Sequence, residues 1–129
     1  MKIVSDASSF ISLILSENER DWVIKKTKDC EIISPVVLPY EIGNALIASY
    51  KRKRINKDEI IKAYSISKTI KVRFFDVDIN NALNIAIRYN IYAYDAYYLQ
   101  CCLENNLPLL SLDKKMREIA KELNIEVID

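Results

Sequence analysis

Asp6, Glu41, Asp95 and Asp113 are the residues whose type and placement point most clearly to chemistry. Asp6 follows Ile3-Val4-Ser5, Glu41 sits among Leu38, Ile42 and Leu46, Asp95 lies between Tyr94 and Ala96, and Asp113 follows Leu109-Leu110-Ser111. Taken singly, each is explained as an acid at a helix N-terminus, where free backbone N–H groups and the helix dipole favour it. Their shared surroundings are apolar, however, and carboxylates so embedded need partners. Grouped without a cation they repel and raise one another's pKa values; a divalent metal reverses that and keeps them ionised. Ligands that are all oxygen suit Mg²⁺ or Mn²⁺ rather than zinc.

What is missing narrows the chemistry further. The chain has no histidine, which removes the Ser-His-Asp triad, the HExxH zinc site and imidazole acid–base catalysis. It has one glycine, so neither a GxGxxG dinucleotide loop nor a P-loop can be built, and a nucleotide cofactor is not expected. Cys30, Cys101 and Cys102 form no CxxC pair and read as reduced, buried thiols. A formal net charge of +1 decides nothing about nucleic acid, since basic and acidic residues nearly cancel. No apolar run approaches the ~20 residues that cross a bilayer, and no leader is recognisable, so the expected location is the cytoplasm, without membrane attachment.

The acids need elements to position them, and the 129 residues suffice for one domain spanning 1–129. Short apolar runs predict strands at residues 2–5, 31–34 (closed by Pro35), 72–75, 108–111 and 126–128. Helices are expected from Ser8 onward, over 18–28, from Pro39 through Tyr50, from the capping box Asn56-Lys57-Asp58-Glu59 to about Ser67, and over 79–89, 94–105 and 114–123. This alternation predicts an α/β fold, a three-layer α/β/α sandwich with a mainly parallel central sheet. Open parallel sheets place their sites where strand ends lead into helix N-termini, which is where the four acids fall.

Asp6-Ala7-Ser8 after a strand, Glu41-x-x-Asn44 early in a helix, Tyr94-Asp95-Ala96-x-Tyr98-Leu99 and Ser111-x-Asp113 occur in the order and spacing of PIN domains. The resemblance covers essentially the whole chain and is nearest to the VapC-type toxins. It implies a PIN-like sandwich, hydrolysis of RNA phosphodiester bonds with Mg²⁺ or Mn²⁺, a homodimer, and inhibition by a VapB-type antitoxin. It also implies that Asp6, Glu41 and Asp95 bind or orient the metal, with Asp113 the fourth and more variable member. Ser111 stands where threonine is commoner and keeps the hydroxyl; Ser8 and Asn44 match polar positions that line the pocket.

Other features have two readings. Lys114 and Lys115 adjoin Asp113 and are candidates for phosphate contact, or tolerated surface. Lys51-Arg52-Lys53-Arg54 is either a solvated helix end favoured by the dipole or an RNA-backbone contact. Tyr89, Tyr92, Tyr94, Tyr97 and Tyr98 read as core or subunit interface before they read as base-stacking residues. Among other functions, a haloacid-dehalogenase-type phosphoryl transferase wants Asp-x-Asp, and position 8 is serine. A receiver domain is disfavoured for lack of adjacent acids. A PIN-like module that binds RNA or a partner without cutting, or an orphan RNA-processing nuclease, are the alternatives; all four acids are present, which argues against loss of catalysis.

Overall fold

The computed structural model describes residues 1–129. In chain order its elements are β1 (Lys2–Ser5), α1 (Ala7–Ile14), α2 (Arg20–Thr27), β2 (Glu31–Pro35), α3 (Leu38–Lys51), α4 (Lys57–Thr69), β3 (Val72–Phe75), α5 (Ile79–Tyr89), α6 (Ala93–Asn105), β4 (Leu109–Leu110) and α7 (Lys114–Glu122). The strands form one parallel sheet in the order β3-β2-β1-β4, with Ile3 opposite Ile32, Ile33 opposite Arg73 and Val4 opposite Leu109. Ile3, Val4, Ile32, Ile33, Leu109 and Leu110 are all buried. A parallel sheet covered on both faces requires such unbroken apolar strands.

Right-handed crossovers fix the layers. The chain advances β1 to β2 to β3 in one direction, which puts α1 to α4 on one face; it then returns past β1 to β4, which puts α5 and α6 on the other. Packing agrees, since α1 contacts α2, α3 and α4 while α6 lies on β1, β2 and α5. The result is the expected α/β/α sandwich. Its strand order reverses between β1 and β4, and ligands bind such sheets at the carboxyl ends of the strands flanking that switch point.

Local chemistry explains the boundaries. Asn56 and Glu59 form the reciprocal capping box that opens α4, and Pro39 occupies the first turn of α3, where its missing N–H costs nothing. α5 and α6 stop at Asn90 and Asn106, both left-handed, a conformation asparagine tolerates better than most residues.

Two strands are shorter than expected. The strand over 108–111 contracts to Leu109–Leu110, and the final one over 126–128 is a single parallel bridge between Leu109 and Val127. Leu109 donates to the Glu126 carbonyl and accepts from the Ile128 N–H, after which β4 offers no more ladder and Arg117 takes the Ile128 carbonyl. The helix expected over 18–28 narrows to Arg20–Thr27. No helix is long and apolar enough to cross a membrane.

Candidate functional site

Asp6 is the best-defined acid. Coming directly off β1, it takes an extended backbone conformation, caps α1 by accepting from the Ser9 N–H, and is 4% exposed. Both carboxylate oxygens are engaged. Oδ1 accepts from the Ser8 hydroxyl at 2.6 Å and the Ser9 hydroxyl at 3.2 Å, and Oδ2 accepts from the Ser111 hydroxyl beyond β4. The Ser8 and Ser111 oxygens in turn accept from the N–H groups of Leu112 and Asp113, each at 3.0 Å. Two hydroxyl relays therefore tie the loop that carries Asp113 to Asp6 across the switch point. Burial pushes the Asp6 pKa up despite these bonds, because removal from water penalises the charged form more than the donors compensate.

Glu41 leaves the first part of α3 and is half-buried. Burial raises its pKa; the Tyr98 hydroxyl acts the other way, and the charges of Asp95 and Asp6 add to the rise. Asp95, in the first turn of α6, is raised by burial and by the charges of Asp113 and Asp6, against the opposing charge of Lys115. Asp113 is exposed and caps α7 through the Met116 N–H. The charges of Asp95 and Asp6 act on Glu41, and those of Asp113 and Asp6 on Asp95, so four acids far apart in sequence share one end of the sheet. As the side chains stand, no three of them are gathered closely enough to grip a single ion.

Asp6 and Asp113 are thus helix caps as well as members of the cluster, whereas neither Glu41 nor Asp95 is a cap. Asn44 is exposed one turn beyond Glu41, on the same side of α3. Lys114 and Lys115 are exposed at the start of α7, with Lys115 close enough to act on Asp95. Ser8 and Ser111 lie beside Asp6 with their protons committed to it.

The largest concave surfaces lie elsewhere. One of about 660 Å³ runs along β2 and β3 by Glu31 and Arg73, and one of about 540 Å³ adjoins Lys51, Lys53 and Arg54 at the far end of α3 from Glu41. Neither contains a group of opposed carboxylates, so volume is a poorer guide to chemistry here than charge.

Sequence reasoning overlooked Ser9, whose buried hydroxyl contacts both Asp6 and the Leu110 carbonyl, and Ser34, buried at the end of β2. It also read Tyr98 as packing, although its hydroxyl meets Glu41 and Ser34. The available signal for Tyr98 was its position three residues after Asp95, which puts both on one face of α6. Cys101 and Cys102 are buried as expected, and burial drives the Cys101 thiol up to about 11.

Comparison with known proteins places this arrangement. Residues 3–122 match the PIN domain profile. Ribonuclease VapC3 of Pyrobaculum aerophilum (strain ATCC 51768) is 24% identical, over 92% of this chain and 94% of its own length. The crystal structure of PAE2754 from Pyrobaculum aerophilum superposes with a TM-score of 0.71 at 21% identity, covering 98% of this chain and 83% of that one, which shows a common fold. With the match spanning residues 3–122, nearly all of the sequence, the chain belongs to the PIN domain family.

Proposed function

We propose that this chain is a metal-dependent endoribonuclease, the toxin of a VapBC-type toxin–antitoxin pair, acting as a homodimer and inhibited by a VapB-type antitoxin. The observation that carries the reading is that Glu41 and Asp95, already raised by burial, are pushed further by the charges of neighbouring acids, Asp95 and Asp6 on Glu41 and Asp113 and Asp6 on Asp95, at the sheet's switch point. An uncompensated group of acids is a cost to the fold, and a divalent cation is what turns it into a binding site. Family membership and the name of the similar ribonuclease support the same conclusion.

The donors fit Mg²⁺ or Mn²⁺ in kind, being oxygen only, and Glu41 Oε1 is buried with no hydrogen-bond partner. Holding one ion would require Glu41, Asp95 and Asp113 to turn towards Asp6; Asp113 is exposed, and neither Glu41 nor Asp95 is tied up as a helix cap. Bound by these carboxylates, such an ion would supply an acidified water and offset charge on the phosphodiester. Asp6, clamped by three serines, is the fixed point against which Glu41, Asp95 and Asp113 adjust. Lys114 and Lys115 meet the phosphates that flank the cut, and Asn44 projects towards the substrate from α3. Ser8 and Ser111 line the same pocket while orienting Asp6.

Purified protein is expected to cut a labelled RNA with Mg²⁺ or Mn²⁺, to stop in EDTA, and to resume when Mn²⁺ is restored in excess. Undiminished cleavage in chelator, with a contaminating nuclease excluded, contradicts the proposal.

A further inference from the structure

Tyr98 lies three residues after Asp95 on α6, so both side chains leave the same face of the helix. It is 1% exposed and among the largest fully buried side chains. Packing accounts for the ring; it does not account for the hydroxyl, since phenylalanine would fill the same space without burying a polar atom. The hydroxyl is near enough to Glu41 and Ser34 for each to influence its ionisation, yet neither it nor Glu41 Oε1 has a hydrogen-bond partner of good geometry. The Ser34 hydroxyl spends its one proton on the Pro35 carbonyl at 3.1 Å, so it can only accept and offers Glu41 no donor in place of Tyr98. A buried hydroxyl and a buried carboxylate oxygen, each without a hydrogen-bond partner, thus occur on neighbouring residues beside the acid cluster. Buried polar groups are paired as a rule, so two left open on neighbouring residues beside the acids call for an explanation.

We propose that Tyr98 is a positioning residue for the carboxylate centre: its hydroxyl donates to one oxygen of Glu41 when Glu41 turns to hold the divalent ion, leaving the other oxygen aimed at that ion. The inference deepens the metal-dependent reading and rests on it. A carboxylate accepts at either oxygen, so one can be held while the other ligates. Outer partners of this kind orient ligands, and their loss costs about 10–100-fold in metal affinity.

The test is Mn²⁺ binding to the whole chain by calorimetry without RNA, for the parent, Tyr98→Phe and Tyr89→Phe. Tyr89 is the matched control, since its hydroxyl is also buried and unpaired but lies on α5, which carries none of the four acids. Tyr98→Phe is expected to weaken Mn²⁺ binding about tenfold or more, with a metal-free melting temperature no lower than the parent's, and Tyr89→Phe to bind as the parent does. A purely structural hydroxyl would move the melting temperature and leave the affinity alone. If the parent binds Mn²⁺ and Tyr98→Phe binds it equally well, the positioning role is overturned while the metal centre stands. If the parent binds no Mn²⁺, the metal reading fails and this inference with it.

Discussion

Asp6, Glu41 and Asp95 are all pushed towards the protonated form, by burial first and, for Glu41 and Asp95, by neighbouring negative charge. Folding without metal therefore carries a penalty that depends on pH. For Glu41 the folded pKa lies above its ordinary value of 4.5, so the folded chain binds the proton more tightly than the unfolded one. Its contribution is unpenalised below that ordinary value and is lost as pH rises through the raised one. Glu41→Gln removes the charge and keeps the shape. Denaturant unfolding of the metal-free proteins is expected to give equal stabilities for parent and variant near pH 4, with the variant gaining on the parent as pH rises towards 7. A difference that stays flat with pH would place Glu41 in ordinary solvated surroundings. At this scale the sequence singled out the acids, because acids beside apolar neighbours stand out, and Asp6, Glu41 and Asp95 are indeed buried or half-buried. It was less informative about their partners: Ser9 and Tyr98 are residue types that occur everywhere, and only the fold shows that Ser9 meets Asp6 and Tyr98 meets Glu41.

Most elements were legible for reasons that lie within short stretches. The Asn56–Glu59 box, Pro39 at a helix start and the apolar strands β1 and β2 each act over a few residues, and they fall where the pattern puts them. The ends of β4 and the last strand were not legible. A strand's length depends on how much ladder its neighbour offers, and β1 pairs with β4 only through Val4 and Ser5. Strand order was likewise beyond local pattern, although it is what makes the site. Asp6 and Ser111 meet only because β4 returns to the free side of β1, so a contact across 105 positions holds the acidic end together. The tyrosine cluster divides by helical phase: Tyr98 is buried, Tyr92 and Tyr94 are exposed at 85% and 55%, and no composition argument separates them.

For the whole molecule, two properties are expected from the proposed function. α5 presents Ile79, Leu83 and Ile87 to solvent at four-residue spacing, beside neutral Asn80 and Asn84. Such an uncharged apolar stripe suits a two-fold contact, where each residue near the axis meets its own copy and like charges would repel. Light scattering is expected to give twice the chain's mass, and Leu83→Asp to give the monomer; a parent that stays monomeric at micromolar concentration would contradict the dimer. The second property is linkage between metal and global stability. Ions that bind only the folded state stabilise it, by about 2.7 kcal/mol at a hundred times the dissociation constant. Thermal melts of the parent and Asp95→Asn, each with and without saturating Mn²⁺, test the four-acid centre most directly. The parent is expected to gain that increment, while Asp95→Asn is at least as stable without metal, having lost repulsion from Asp113 and Asp6, and gains little from Mn²⁺. An equal Mn²⁺ shift in both proteins would show that Asp95 is not part of a metal site and would contradict the account.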